Sequence, residues 1–172
     1  MDLTLNMSYH FVLFRGGEPL QSVVDMSFEG DYIDKVQDCK NITAVFLLNY
    51  CFHFNAWTTR AYLERLFHTK LSVVRLMQRC PNSIVIIKLS HPRKEVLNVQ
   101  PYKAAIYVYH DMDRMIRRMF DDIPVNYLDI WDLVLSHPSK SEIHVSPHVI
   151  RQEVFLMLSY ICPEMVKSRQ YM

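Results

Sequence analysis

Apolar residues fall in blocks whose period changes along the chain, and the changes predict its elements. Tyr9-His10-Phe11-Val12-Leu13-Phe14 is a short β-rich run closed by Gly16-Gly17 and Pro19. Residues from about 28 to 37 are mildly helical. Ile42-Thr43-Ala44-Val45-Phe46-Leu47-Leu48 is almost unbroken and lacks period-2 alternation, as a strand buried on both faces of a parallel sheet does. A long amphipathic helix follows, N-capped by Thr58 or Thr59. Leu63, Leu66, Phe67, Leu71, Val74 and Met77 share one face of it, and Arg60, Glu64, Arg65, His68 and Arg75 occupy much of the rest. Cys80-Pro81-Asn82 ends it. Ile84-Val85-Ile86-Ile87 is a second fully apolar, β-branched strand.

After a polar loop from His91 to Pro101, the next helix carries Ala105, Tyr109, Met112, Ile116, Met119 and Phe120 on one face, with Asp113, Arg114, Arg117 and Arg118 outside it. Residues 124–129 read as a further strand. Ser146-Pro147 opens the last helix, a cap residue followed by proline at the first helical position. It is expected to bury Ile150, Val154, Met157, Leu158 and Ile161 and to stop at Cys162-Pro163. Strands alternating with helices predict an α/β layered domain with right-handed crossovers. In such sheets functional residues gather beyond the carboxyl ends of the strands. That rule points to 49–53, to Ser90-His91 and to Asp129 onward.

Composition narrows the function. At 172 residues the chain is about one domain. With 19 basic and 18 acidic residues its net charge is +1, which argues against a nucleic-acid-binding face. Only Gly16, Gly17 and Gly30 are glycines, so no P-loop, dinucleotide fingerprint or G-x-S-x-G elbow can be written, and no cofactor is expected. No run approaches ~18 apolar residues, so no membrane span is expected. The N-terminus does not read as a signal peptide, yet Asn6-Met7-Ser8 and Asn41-Ile42-Thr43 are glycosylation sequons. Cys39, Cys51, Cys80 and Cys162 form no C-x-x-C pair. Three disulfide connectivities are open, and a buried free thiol is the simpler reading of each cysteine.

The densest polar cluster is Asp129-Ile130-Trp131-Asp132 followed by His137, His144 and His148. His144 lies in a loop past a strand end, where a general base can stand if a carboxylate orients it. On spacing alone it reads more readily as a surface histidine. The His144–His148 spacing suits a metal only if both share a helix, and the helix is expected to start after His144, so no metal is predicted. Asn49 and His53 sit where a substrate or oxyanion group meets a strand end. His53, between Phe52 and Phe54, reads equally as a partly buried histidine bonded to backbone. Cys51 beside His53 suggests a Cys–His pair, though a buried cysteine among aromatics is commoner. Arg114, Arg117 and Arg118 are most simply a solvated helix face.

Several strings together resemble the NXPE (neurexophilin and PC-esterase) family. Residues 79–88, Arg-Cys-Pro-Asn-Ser-Ile-Val-Ile-Ile-Lys, resemble its "RSPxTxVxIK" segment. Ile116-Arg117-Arg118-Met119-Phe120, Leu128-Asp129-Ile130-Trp131-Asp132-Leu133 and Leu158-Ser159-Tyr160-Ile161-Cys162 resemble its later blocks, in order. His53-Phe54 matches its "HF", and Ile143-His144 its "VH" or "LH". The resemblance implies a PC-esterase domain, with the three-layer α/β/α fold of SGNH hydrolases and acyl-ester chemistry on carbohydrates. It puts His144 at the catalytic-type histidine and His53 near the oxyanion region. The family's aspartate three residues before that histidine is Ser141 here, and Asp129 or Asp132 is a substitute. The family's Gly-Asp-Ser nucleophile motif does not occur in the 172 residues.

The expectation is therefore an NXPE-type C-terminal domain over 1–172, lacking the family's first strand and inactive alone, with 163–172 a flexible tail. An unoccupied sheet edge would then be open to a protein partner. A glycan or acyl ester is the expected ligand. The alternative is a non-catalytic glycan- or protein-binding module. The resemblance also implies the secretory pathway.

Overall fold

A computed structural model of the chain describes residues 29–37, 39, 43–55, 57–92, 106–137 and 145–163. In order these form α1 (Glu29–Lys35), β1 (Val45–Asn49), a 3-10 turn (Phe52–Phe54), α2 (Thr59–Arg79), β2 (Ile84–Lys88), α3 (Ile106–Met119), β3 (Asn126–Leu128), α4 (Trp131–Ser136) and α5 (Pro147–Ile161). The strands make one parallel sheet, β1-β2-β3. β1 and β2 pair from Val45↔Ile84 to Asn49↔Lys88 without a bulge, and β2 pairs with β3 from Ile86↔Asn126 to Lys88↔Leu128. One face of the sheet packs Leu48, Val85 and Ile87 against Ile33 of α1, Leu66 and Leu76 of α2, and Tyr109 and Ile116 of α3. The other packs Ile86 and Leu128 against Val134 of α4 and Val149 of α5. This is an α/β fold compatible with the SGNH-like architecture. The β-rich run at 9–14, Ala105, Asn6, Asn41, His144 and the 164–172 stretch lie outside the described residues.

Capping sets the helix starts. The Thr58 hydroxyl accepts from the Ala61 N–H at 3.3 Å, and the Ser146 hydroxyl from the Val149 N–H at 3.4 Å. The predicted faces of two helices need correction. Phe67 and Leu71 of α2 are exposed, and the buried face is instead Tyr62, Arg65, Leu66, Thr69, Ser72, Val73 and Leu76. Its polar members are satisfied internally, which is what permits their burial. Tyr50 Oη donates to Thr69 Oγ1 at 2.7 Å, Tyr62 Oη to the Tyr50 carbonyl at 3.2 Å, and Arg65 lies over the Phe54 and Trp57 rings. In α5, Val149 is buried, whereas Ile150 and Val154 are exposed. The inward face also holds Glu153, paired with Lys88, and Tyr160, whose hydroxyl donates to the Tyr127 carbonyl at 3.0 Å. α4 answers to no predicted element; Asp129 Oδ1 accepts from the Trp131 N–H at 3.1 Å and opens it.

β1 also departs from expectation. It was expected to be buried on both faces, but Val45 is 38% and Leu47 48% exposed, while Leu48 is buried. α5 packs on β2 and β3.

Cys39 and Cys80 are joined in a disulfide, so the free-thiol reading fails for these two; Cys51 and Cys162 are free. The bridge ties the segment after α1 to the end of α2. Beside it, Ser72 Oγ donates to Asp34 Oδ2 at 2.9 Å, and Arg75 and Arg79 both pair with the same carboxylate. Arg79 also donates to the Ile33 and Val36 carbonyls at the end of α1. The Arg75 guanidinium holds the Asp34 carboxyl below the usual carboxylate range, aided by Ser72 and Arg79 and opposed by partial burial.

Candidate functional site

The parallel strands deliver their last residues to one rim. At β1, Asn49 is exposed, and its Oδ1 accepts the Cys51 N–H at 3.2 Å, turning the chain inward. Cys51 is buried and its thiol donates to the Lys88 carbonyl at 3.5 Å. His53 lies in the 3-10 turn that follows.

β2 ends on Lys88, whose ammonium pairs with Glu153 of α5, both largely buried. Leu89, Ser90 and His91 continue inward, all buried. The Ser90 N–H donates to Asp113 Oδ1 of α3 at 3.0 Å. Asp113 was placed on the outer face of its helix, yet it is half-buried, because Tyr109 and Ile116 lie four residues before and three after it on the inward stripe. Burial pushes its carboxyl above the usual range, against the lowering effect of Ser90. The Ser90 hydroxyl makes no hydrogen bond of good geometry among the described residues, but it lies near enough to oppose the rise in both the Asp113 and the Cys51 pKa. The His91 ring meets Phe52 edge-on at 4.5 Å, and Phe52 meets Tyr109 likewise at 5.0 Å.

β3 delivers Asp129. Its Oδ2 accepts from Arg117 at 2.7 Å while Oδ1 holds the start of α4. Arg117 also lies over the Tyr127 ring at 4.7 Å, so it belongs to the rim and not to a merely solvated helix face. Asp132 is exposed on the first turn of α4, where the helix dipole favours an acidic group. The His110 and Trp131 rings lie 4.0 Å apart with their planes tilted by 38°.

The rule of strand ends thus brings Asn49, His53 and Asp129 to one end of the sheet, with β2 between Asn49 and Asp129. His144 falls outside the described residues, but the ends of its loop come together: the His137 and His148 rings stack at 4.5 Å with their planes 1° apart. Among the described residues no group of three His, Cys, Asp or Glu could hold a metal, and no helix is long and apolar enough to cross a membrane.

Neither candidate nucleophile described at this rim is poised to react. A nucleophile needs an exposed position and an accessible anion or an adjacent base. Burial pushes the Cys51 thiol up to about 12, so almost none of it is thiolate near neutral pH. Ser90 is fully buried. Sequence reasoning reached Ser90 and His91 through the strand-end rule, but it missed Asp113, Lys88 and Glu153. The first was legible from its spacing to Tyr109 and Ile116; the Lys88–Glu153 pair depends on where α5 lands.

A family model described as NXPE family member 4-like, C-terminal domain, matches residues 2–162. No solved structure matches the chain.

Proposed function

The chain belongs to the NXPE family, matching its member-4-like C-terminal domain, and from that premise we propose that it is an NXPE-type PC-esterase-like domain without catalytic activity of its own. Its rim holds a glycan or acyl-ester ligand and does not cleave it. The observation that carries this reading concerns the nucleophile. Gly-Asp-Ser occurs nowhere in the 172 residues, and the candidates described at the strand ends, Cys51 and Ser90, are both buried. Neither offers His144, even as a base beside Asp129 or Asp132, an exposed group to deprotonate. Asp129 is in any case engaged by Arg117 and by α4.

The binding half of the reading is supported by Asn49, Arg117 and Asp129, polar groups that remain exposed at the rim. His53 stands beside them in sequence. The Cys39–Cys80 disulfide supports maturation in an oxidising compartment, since such bonds persist there and not in the cytosol. The same compartment would give the sequons Asn6 and Asn41 access to glycosylation.

The test uses the purified chain with acyl-ester substrates, both a small aryl acetate and O-acetylated oligosaccharides. Hydrolysis should not exceed the uncatalysed rate. Turnover abolished by His144→Ala would overturn the proposal. Mapping the adduct of a serine- or thiol-directed acylating probe would then locate the nucleophile. A glycan screen at millimolar ligand tests the binding half, and a blank screen refutes it.

A further inference from the structure

We propose that the Cys39–Cys80 bridge closes only on a chain whose α1 is already docked on α2, and that the contacts around Asp34 are the clamp that docks it. Oxidation then follows correct packing and locks it.

Asp34 lies near the end of α1, and its partners lie on α2. Ser72 Oγ donates to it at 2.9 Å, Arg75 Nε at 3.1 Å and Arg79 Nη1 at 3.4 Å. The Arg79 guanidinium reaches on to the carbonyls of Ile33 and Val36, at 3.2 and 3.3 Å. Cys39 follows Val36 by three residues, and Cys80 is joined directly to Arg79. The clamp therefore holds both stretches from which the sulfurs project, and the cysteine Cα atoms stand 5.4 Å apart, within the span a disulfide closes. None of these contacts needs the sulfur–sulfur bond. Gly30 adds a steric condition. A Cβ there would lie 2.6 Å from Ser72 Oγ, so α1 comes this near to α2 because residue 30 has no side chain. Two thiols held this way meet at a high effective concentration, which a free α1 does not give them.

Burial orders the chemistry. Cys80 is fully buried and Cys39 half-buried, so a small disulfide such as glutathione disulfide meets Cys39 first. The Cys39 thiolate attacks it, a mixed disulfide forms and one glutathione leaves. The Cys80 thiolate then attacks the Cys39 sulfur and expels the second glutathione. Two electrons and two thiol protons pass from the cysteines to the two glutathiones. The clamp acts on the second, intramolecular step.

The test equilibrates the whole chain, in a Cys162→Ser background, with a glutathione buffer and reads bridged and reduced forms by thiol trapping and mass. Circular dichroism of each reduced variant checks that it is folded. Asp34→Ala and Gly30→Ala should each lower the bridged-to-reduced ratio at least ~threefold. Ser146→Ala, which removes the cap of α5 far from the bridge, should leave the ratio unchanged. If Asp34→Ala fails to fold when reduced, Arg75→Gln, at the exposed side of the clamp, takes its place with the same expectation. Cys80→Ser should collect glutathione on Cys39, and Cys39→Ser should leave Cys80 unmodified. An unchanged ratio in the clamp variants would overturn the proposal. So would an equal fall in Ser146→Ala, or glutathione collecting on Cys80 and not on Cys39.

Discussion

Breaking the Cys39–Cys80 bridge should lower stability by an amount that follows from chain separation. The two cysteines are 41 residues apart. In the chain-entropy account, closing a loop of that length removes enough disorder from the unfolded state to contribute about 4 kcal/mol at 25 °C. The Asp34–Arg75–Arg79 contacts do not substitute for it, because they vanish in the unfolded chain, where the bridge acts. Urea unfolding of the oxidised chain and of Cys39→Ala/Cys80→Ala, followed by far-ultraviolet dichroism, measures the difference. With a denaturant slope of ~2 kcal/mol/M, the midpoint should fall by about 2 M. The same unfolding run on the oxidised chain with and without a reductant should give a matching shift. Thiol alkylation under native conditions should leave Cys51 unmodified, because it is buried and its thiol is pushed up to about 12. Peptide mapping should return a linked Cys39–Cys80 pair. A midpoint that moves by less than ~0.5 M, at unchanged slope, would refute the entropic reasoning. A map with either cysteine alkylated in the native chain would refute the pairing itself.

Three further outcomes can be measured by the same means. A Cβ at Gly30 would lie 2.6 Å from the Ser72 hydroxyl, which is anchored by Asp34, so Gly30→Ala should cost about 1–3 kcal/mol and be non-additive with Ser72→Ala in a double-mutant cycle. Asp113 has a raised folded-state pKa, so its contribution disfavours folding increasingly as pH climbs from its ordinary 3.8 through that raised value. Asp113→Asn keeps an acceptor for the Ser90 N–H and should match or exceed the original melting temperature at pH 7, with the advantage shrinking toward pH 4. Asp113→Ala leaves that N–H without its acceptor and should cost about 1–3 kcal/mol at either pH. Ser146→Ala should cost about 1 kcal/mol in chemical unfolding, from the lost cap of α5. An unchanged midpoint would show that the cap is dispensable.

The sequence alone determined the alternation of β1, α2, β2, α3, β3 and α5, and with it a parallel α/β sheet. Hydrophobic period, the Thr58 and Ser146 caps and the Cys80-Pro81 stop are local signals, read without knowing what packs against them. The same locality located the rim, because parallel strands necessarily end together, and it put Asn49 and Asp129 there. Excluding nucleotide motifs needed only the positions of three glycines. The tertiary structure decided which side of each element faces inward. α2 turned away from Phe67 and Leu71 because Tyr62, Thr69 and Ser72 found buried hydrogen-bond partners on Tyr50 and Asp34, elements apart in the chain. Asp113 became a rim residue because the Ser90 N–H needed an acceptor there. Cys39 and Cys80 became partners because α1 docks on α2 and brings their Cα atoms to 5.4 Å. The strand run that reads as buried on both faces leaves Val45 and Leu47 partly exposed on the face where α5 packs on β2 and β3. Periodicity reports that a residue is apolar, and only the arrangement of its neighbours in space settles what covers it.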